Sequence, residues 1–403
     1  MQYKYIDLFS GCGGLSLGMH NASWRALFAV EKNEDAFKTL SFNLIEKDNH
    51  FDWPEWLPQK NLDINDIIEE YKDSLENLKG SIKLVAGGPP CQGFSSAGKR
   101  NEKDKRNTLV DSYLKFIDLV EPESIIFENV KGFTVPFASK KKNKKGKNYS
   151  DYIVKELKNR GYNVEYRLVD FSEFGVPQKR IRFILFASKK HNCNKFFDIL
   201  YGNVEAFLDN KNLDKTPSLK DAIMDLEMKN GTITCPDSKG FQAGKYGRSK
   251  GKYQRYCRTG FKKSDIPNSH RFANHRDETV KRFKELIDLN IKNKNLSKLL
   301  KKDYLVNKNC ICVLDGSLPS PTLTTHPDDH IHYSEPRILT VREYARIQSF
   351  PDYYIFKGKY TTGGKLRQTD VPRYTQIGNA IPPLFAEQLG LALIKLINSK
   401  ETE

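Results

Sequence analysis

The alternation of short apolar runs with helical spacing is the feature that most constrains the fold of this chain. Apolar runs bounded by Gly, Pro, Asn or Asp predict strands over residues 3–9, 25–30, 82–86, 124–127, 164–169 and 181–187. Residues with helical spacing lie between them, over 34–43, 65–78, 108–120 and 150–160. Strands and helices that alternate at this pitch predict an α/β fold built on a doubly wound sheet.

A second, smaller and irregular domain is predicted in the middle of the chain. From about residue 190 the alternation is lost, and it returns after residue 335 with helices predicted over 341–348 and 384–397. We therefore predict one domain from residues 1–189 plus 335–403, with the last helix packing back on it. Residues 190–334 would form the second domain.

Positive charge is concentrated in that second domain. The 403-residue chain has a formal net charge of +16, and residues 239–302 alone hold 19 Lys or Arg against 5 Asp or Glu. Tyr, Phe, His and Gly interleave with these cations, a composition suited to phosphates and bases, although a solvated charged face is the alternative. We predict nucleic-acid binding there, through Lys245, Arg248, Lys252, Arg255, Arg258 and Arg271.

The sequence argues against a membrane protein, a disulfide-stabilised protein and a metal-binding protein. The N-terminus lacks an apolar targeting segment, and no run approaches the roughly 18 apolar residues of a membrane span, so we expect a cytoplasmic protein. The 7 cysteines form no C-x-x-C pair, which argues against a disulfide framework or a zinc site. His326, His330 and His332 have no matching carboxylate or thiol pattern, so we expect no metal.

A Gly-rich turn over residues 7–18 follows the first predicted strand and leads into a helix. Glycines there allow a cofactor to approach the backbone, and a helix N-terminus favours a negative group. Glu31 lies 20 residues after Gly11, where an acidic residue binds ribose hydroxyls. The pattern predicts a nucleoside cofactor without distinguishing a dinucleotide from S-adenosylmethionine. A tight turn with no ligand is the alternative.

Cys91 is the candidate nucleophile. It follows the predicted strand 82–86, between Gly-Gly-Pro-Pro and Gly-Phe-Ser-Ser, at the carboxyl end where open α/β sheets place their chemistry. Such a setting exposes a thiol, and its thiolate needs electropositive surroundings. Arg180 and Arg182 would project to one face of another strand, and Glu128 ends the run 124–127. A buried cysteine, an edge-strand charge pair and a loop carboxylate are the structural alternatives.

Six stretches, in order, resemble the motifs of cytosine-C5 DNA methyltransferases. They are the turn at 7–18, Gly-Pro-Pro-Cys-Gln-Gly-Phe-Ser at 88–95, Glu-Asn-Val at 128–130, Gln-Lys-Arg-x-Arg at 178–182, the Arg- and Gln-containing run at 337–351, and Gln-Ile-Gly-Asn-Ala-Ile-Pro-Pro at 376–383. The resemblance covers most of the chain except residues 190–320, which correspond to the variable target-recognition domain of that family. It implies a Rossmann-like S-adenosylmethionine-dependent sheet and methylation of cytosine C5 in duplex DNA.

The resemblance also implies roles for individual residues. Cys91 would attack cytosine C6, Glu128 would hold N3 and the amino group, and Arg180 and Arg182 would orient the base. S-adenosylmethionine, leaving as S-adenosylhomocysteine, would contact Phe9, Gly11, Cys12, Gly14, Glu31, Asp63, Ile64, Pro89, Leu109, Asn379 and Ala380. DNA contacts in the loop that closes over the base would be Gln92, Ser95, Ser96 and Arg106. Lys32 departs from the pattern, because some members have an adenine-stacking aromatic residue there.

Double-stranded DNA is the implied partner, for a monomer that acts either beside a cognate restriction endonuclease or alone. Two alternatives use the same scaffold: a transfer-RNA cytosine-C5 methyltransferase, and a catalytically silent DNA-binding homologue. The RNA enzymes resemble Pro-Pro-Cys-Gln-Pro-Phe-Thr rather than the Gly93-Phe94-Ser95 found here. A nicotinamide dehydrogenase would explain the Gly-rich turn and Glu31 but would leave the Cys91 motif unused.

Overall fold

The computed structural model describes residues 3–90, 108–137, 146, 148–304, 306, 310–362, 366 and 370–399. The chain forms two compact units. Unit 1 contains Met1–Asp170, Ile181–Val204 and Ala386–Glu403, and unit 2 contains Phe171–Arg180 and Glu205–Phe385. Residues 335–385 therefore pack within unit 2, whereas the sequence analysis placed them with the first domain.

Unit 1 is built on one mixed sheet. Its described strands are β1 (Lys4–Leu8), β2 (Arg25–Val30), β3 (Leu84–Gly87), β4 (Ser124–Val130), β5 (Asn163–Asp170) and β6 (Ile181–Ser188), in the order β2-β1-β3-β4-β6-β5. The first four strands pair in parallel, and β6 runs antiparallel to both neighbours. A short link joins β5 to β6, which suits an antiparallel pair, because a parallel pair needs a crossover of a dozen or more residues. The predicted α/β fold is confirmed.

Helices lie between these strands and at intervals along unit 2. They are α1 (Gly14–Asn21), α2 (Glu34–Leu40), α3 (Ile64–Glu70), α4 (Lys72–Glu76), α5 (Leu109–Val120), α6 (Tyr149–Asn159), α7 (Cys193–Gly202), α8 (Val204–Asn210), α9 (Leu219–Ile223), α10 (Lys252–Cys257), α11 (Asp277–Asp288), α12 (Lys298–Asp303), α13 (Val341–Ile347), α14 (Arg373–Asn379) and α15 (Pro383–Asn398). A π-helical segment, Ser41–Lys47, extends α2. Unit 2 adds short strands β7 (Thr232–Thr234), β8 (Gln242–Gly244), β9 (Cys312–Val313) and β10 (His330–Ile331).

The core of unit 1 lies between the sheet and helices α5 and α6. Val110, Tyr113, Leu114 and Ile117 form the buried stripe of α5, at the i, i+3, i+4, i+7 spacing of an amphipathic helix. The C-terminal part of α15 also belongs to unit 1, because the indole Nε1 of Trp24 donates to the carbonyl oxygen of Gly390 at 3.0 Å.

Two buried arginines of α13 organise unit 2. The guanidinium of Arg346 is fully buried and contacts the carboxylates of Asp225 and Asp352, with Nη2 2.7 Å from Oδ2 of Asp352. Arg342 donates to the backbone oxygens of Asn268, Pro351 and Tyr354. These bonds join the region around residue 225 to the region around residue 350. They explain why residues 335–385 pack in unit 2 rather than with the sheet.

The helical stretch Arg373–Asn398 is long and apolar enough to cross a membrane by length and composition alone, with a mean hydropathy of 1.5 over its best window. In this structure 67% of that window is buried inside the fold. The core helix of a soluble protein meets the same criterion, so the stretch is weak support for a membrane span.

Candidate active site and DNA interface

The Gly-rich turn after β1 holds Glu31 in a fixed orientation. Gly11 and Gly13 both have positive φ, 55° and 87°, which a residue with a Cβ rarely adopts. The amide of Gly11 donates to Oε2 of Glu31 at 2.9 Å, and the amide of Asn33 donates to Oε1 at 2.7 Å. Gly11 and Glu31, which are 20 residues apart in the sequence, are therefore joined by a direct hydrogen bond. Among the described residues other than its two chain neighbours, none has an atom within 4 Å of a Cβ built on Gly11, which leaves space for a ligand beside this turn.

Two acidic side chains, Asp7 and Glu31, lie at this corner of unit 1. Burial raises the pKa of Asp7 to about 7, against a hydrogen bond from Ser16 that lowers it, and the charge of Glu31 raises it further. Burial also raises the pKa of Glu31, although its backbone hydrogen bonds act in the opposite direction. Asp7 is therefore protonated in a substantial fraction of molecules near pH 7, and Glu31 is the acceptor suited to ribose hydroxyls.

Other predicted cofactor residues surround this turn. Phe9 has a positive φ of 57°, and Gly14 begins α1. Cys12 is buried, and burial raises its pKa, so this thiol stays protonated.

Asp63 lies close to Glu31 because the amide of Leu62 donates to the carbonyl oxygen of Glu31 at 2.8 Å. The side chain of Asp63 caps α3, which begins at the buried Ile64, and accepts from the amide of Asn65 at 2.9 Å. Lys32 places its Nζ 2.8 Å from Oδ2 of Asp63. Burial raises the pKa of Asp63, but Lys32 and Asn65 outweigh it, so the net shift is downward. The structure thus gives Lys32 an ion pair where some family members have an aromatic residue.

Two glycines allow the chain to leave β3 between its neighbours. A Cβ on Gly87 would lie 1.9 Å from the carbonyl oxygen of Leu8 in β1, and a Cβ on Gly88 would lie 1.9 Å from that of Glu128 in β4. The side-chain amide of Asn129 then donates to the carbonyl oxygen of Pro89 at 3.2 Å. These contacts fix the residues that lead to Cys91 at the carboxyl ends of three strands.

The predicted loop residues Cys91, Gln92, Ser95, Ser96 and Arg106 lie outside the described residues. The chain is described again just before α5, whose first residue, Leu109, packs against the core of unit 1.

Glu128 and Arg182 form an ion pair beside this point. Nε of Arg182 lies 3.0 Å from Oε1 of Glu128, and both side chains are largely buried. Arg180 lies outside the strand that holds Arg182, since β6 begins at Ile181. Its guanidinium donates to the carbonyl oxygens of Gly378, at 2.7 Å, and Leu323, at 3.4 Å, within unit 2. The prediction that both arginines project from one strand face is therefore corrected.

Sequence reasoning missed two buried glutamines of unit 2. The amide nitrogen of Gln178 donates to Oε1 of Gln348 at 2.9 Å, and its oxygen accepts from the amide of Leu323. Gln348 in turn donates to the carbonyl oxygen of Ile377 at 2.8 Å. The pair holds the segment that contains Asn379 and Ala380, at the end of α14. Both glutamines lie within the stretches that resemble family motifs, at 178–182 and 337–351, and this position in the sequence could have identified them.

Four of the six predicted DNA contacts in unit 2 are exposed: Lys245, Arg248, Lys252 and Arg255. Arg258 is buried, which corrects the prediction for that residue. Its Nη1 donates to the carbonyl oxygen of Gly247 at 2.8 Å and lies 3.3 Å from Oδ2 of Asp225. The guanidinium carbon also lies 4.1 Å from the ring centroid of Tyr246. Arg271, the sixth residue, is half-buried between two aromatic rings.

The described part of the chain holds no group of three His, Cys, Asp or Glu residues placed to bind a metal ion. His330 and His332 are buried, and burial lowers the pKa of His330 to about 4 and that of His332 well below its ordinary value.

Comparisons with known proteins agree on one family. Residues 3–395 match the family described as C-5 cytosine-specific DNA methylase. The chain is 31% identical to the type II methyltransferase M.DdeI of Desulfomicrobium norvegicum, over 95% of this chain and 86% of that protein. It is 28% identical to the type II methyltransferase M.XorII of Xanthomonas oryzae pv. oryzae, over 98% and 85%.

Two solved structures share the fold. The first is a prophage-encoded protein of E. coli described as a DNA modification methyltransferase, with a TM-score of 0.64 at 24% identity, covering 99% of this chain and 100% of that one. The second is the S. pombe Dnmt2 methyltransferase, with a TM-score of 0.53 at 16% identity and the same coverage.

Proposed function

This chain belongs to the C-5 cytosine-specific DNA methylase family, and on that basis we propose that it methylates C5 of a flipped-out cytosine in a specific duplex DNA sequence. Its similarity to type II methyltransferases supports a restriction-modification role. The observation that carries the proposal is the Glu128–Arg182 pair, at 3.0 Å, next to the glycines that lead to Cys91. A carboxylate fixed by a guanidinium is suited to hold one edge of a pyrimidine.

In the proposed mechanism, the thiolate of Cys91 adds to cytosine C6, so that the electron pair of the C5–C6 double bond becomes available at C5. Glu128 accepts a hydrogen bond from the amino group and shares a proton with N3, which stabilises the negative charge that attack at C6 places on the ring, and Arg182 keeps the carboxyl group in place. After methylation, the C5 proton leaves to solvent, the C6–S bond breaks, and the double bond and the thiolate are restored. When bound, S-adenosylmethionine supplies the methyl group on a sulfonium sulfur and leaves as S-adenosylhomocysteine.

The turn after β1 would hold the cofactor. Glu31, with both oxygens oriented by backbone amides, would accept hydrogen bonds from ribose hydroxyls. The remaining proposed contacts are Phe9, Gly11, Cys12, Gly14, Asp63, Ile64, Pro89, Leu109, Asn379 and Ala380. We keep the last two on the resemblance alone.

DNA would be gripped by the exposed cations Lys245, Arg248, Lys252 and Arg255, together with the loop residues Gln92, Ser95, Ser96 and Arg106. The resemblance assigns Arg180 to orienting the base, and its guanidinium donates to the carbonyl oxygens of Gly378 and Leu323 within unit 2. Extracting the base from the stack costs a few kcal/mol, which these contacts must offset. We propose a cytoplasmic monomer that needs no metal, with a cognate endonuclease acting separately.

Bisulfite sequencing of DNA from a host that expresses the chain tests the proposal directly. We expect methylcytosine within one short sequence context, and none with Cys91→Ser. The matched control is Cys310→Ser, which changes a half-buried free thiol of unit 2 and should leave methylation intact. Methylation of transfer RNA but not of duplex DNA would instead establish the RNA alternative.

A duplex that contains 5-fluorocytosine at the target position tests the covalent step, because fluorine blocks loss of the C5 proton. With S-adenosylmethionine present, we expect a denaturation-resistant complex for the natural chain and for Cys310→Ser, and none for Cys91→Ser. Tight duplex binding without any trapped complex would favour the silent DNA-binding homologue.

A further inference from the structure

Unit 2 contains a column of alternating aromatic rings and guanidiniums. The guanidinium carbon of Arg271 lies 4.0 Å from the ring centroid of Phe241 and 3.9 Å from that of Tyr360. The guanidinium carbon of Arg373 lies 4.1 Å from the same Tyr360 centroid. Arg271 therefore contacts two aromatic rings, and Tyr360 contacts two guanidiniums.

Arg373 has a carboxylate partner, and Arg271 has none within the described part of the chain. Asp237 accepts from Nη1 of Arg373 at 2.8 Å and from the hydroxyl of Tyr360 at 2.8 Å. Nη1 of Arg271 donates only to the hydroxyl oxygen of Ser238, at 2.8 Å. Its other guanidinium nitrogens have no hydrogen-bond partner among the described residues and are not fully buried. Among the described residues, the charged edge of Arg271 therefore has no carboxylate partner, and it is partly accessible.

The backbone of Arg271 is fixed as well as its side chain. Arg271 forms an antiparallel bridge with Ala243, and the amide of Phe272 donates to the carbonyl oxygen of Gln242 at 2.9 Å. Contacts with two rings and the hydrogen bond to Ser238 restrict the rotation of this side chain. Little rotamer entropy is then lost when that edge binds a ligand.

We infer that Arg271 reads a guanine of the recognition sequence, donating in parallel to O6 and N7 in the major groove. The inference rests on the proposed function and names one base-reading residue within it. Guanine is the base that offers two adjacent acceptors in that groove, which match the fork of N–H donors on one guanidinium edge. A phosphate needs charge rather than a fixed plane, and the lysines of the same region supply that charge.

The test replaces each guanine of the bisulfite-defined recognition sequence, on both strands, by 7-deazaguanine, which lacks the N7 acceptor. Duplex affinity is measured with S-adenosylhomocysteine present, so that no methyl transfer occurs. We expect Arg271→Met to lose about 10-fold to 100-fold in affinity for the natural duplex. At one guanine of the sequence, replacement by 7-deazaguanine should lower the affinity of the natural protein but cause no further loss in Arg271→Met. At every other guanine, the replacement should affect the two proteins equally.

Phe241→Leu and Arg167→Lys complete the set. Phe241→Leu keeps the guanidinium of Arg271 but removes one of the two aromatic rings that it contacts. The loss of affinity caused by 7-deazaguanine at that position should therefore become smaller, while the salt dependence of binding stays the same. Arg167→Lys, at an exposed arginine of β5 in unit 1, should match the natural protein on every duplex.

Two outcomes would overturn the role of Arg271 without affecting the proposed function. Arg271→Met could show no coupling to any guanine, or its only effect could be a salt slope lower by about one, which marks a phosphate contact. A natural chain that methylates no DNA would overturn the proposed function, and the inference with it.

Discussion

Nε of Arg182 lies 3.0 Å from Oε1 of Glu128, and the two residues come from adjacent antiparallel strands. The register places Glu128 opposite Ile184 and Val130 opposite Arg182, so the backbone hydrogen bonds of β4 and β6 hold both residues. The carboxylate is therefore oriented before a base arrives, and no reorganisation is needed during the reaction.

Glu128→Gln should lower kcat for methyl transfer by about 10²-fold to 10⁴-fold, because an amide cannot share a proton with N3 as a carboxyl group does. Single-turnover transfer of a labelled methyl group measures the effect, with nonspecific duplex affinity expected to stay unchanged. Glu156→Gln is the matched control, since Glu156 pairs with Arg160 at 2.8 Å on the exposed face of α6. A Glu128 variant as active as this control would contradict the assigned role.

Glu31→Gln should weaken binding of S-adenosylhomocysteine by about 10-fold to 100-fold, measured by titration calorimetry. One carboxylate oxygen becomes an amino group, which then faces a backbone N–H donor from Gly11 or Asn33. The control is Glu34→Gln, three residues away, where the side chain is 67% exposed and pairs with Lys38. Equal affinities for the two variants would remove Glu31 from the cofactor site.

The pKa of Asp7, raised to about 7 by burial, predicts that Asp7 contributes a loss of stability in unit 1 as the pH rises from 6 to 8. The folded state binds a proton that the unfolded chain has already lost, because the ordinary pKa of Asp is about 4. The loss over this window is about 1 kcal/mol, and it is complete above the folded pKa.

All 3 tryptophans, Trp24, Trp53 and Trp56, lie in unit 1, so urea denaturation followed by tryptophan fluorescence reports the unfolding of unit 1. His50 acts in the opposite direction over this range, because burial lowers its pKa to about 3, so the natural protein is compared with Asp7→Asn. Between pH 6 and 8 the stability of Asp7→Asn should rise by about 1 kcal/mol relative to that of the natural protein. A variant that keeps the slope of the natural protein would show that another group is responsible.

Arg346→Met should destabilise unit 2 by about 3–5 kcal/mol, because it leaves the buried carboxylates of Asp225 and Asp352 without their shared cation. Calorimetry measures the loss, and tryptophan fluorescence reports unit 1 in the same sample. Arg276→Met, at the exposed start of α11, should change stability by no more than about 0.5 kcal/mol. Equal melting of the two variants would mean that the Arg346 network contributes little.

Strand positions were predictable because they depend on local sequence. β2 was predicted over its full observed length, residues 25–30, and β6 to within one residue. The prediction for β4 ended at 127, whereas the strand continues to Val130. Its last three residues pair with β6, and that long-range partner is invisible in the local pattern.

The partners of charged residues were harder to predict. Arg258 belongs to a basic stretch and resembles a surface cation, yet its carboxylate partner, Asp225, lies 33 residues earlier. Arg346 reaches the same aspartate across 121 residues. Composition counts charges, but only the fold decides which of them are paired. The roles of Cys91 and its loop stay predictions, because those residues lie outside the described part of the chain.

The bond between Trp24 and Gly390 joins residues that are 366 positions apart, within one unit. At synthesis rates of about 5–20 residues per second, the ribosome takes on the order of 20–70 seconds to deliver the second partner after the first. All of unit 2 is translated during that interval. The nascent sheet must therefore remain soluble with one flank uncovered, and truncation near the C-terminus should expose that flank to proteases and chaperones.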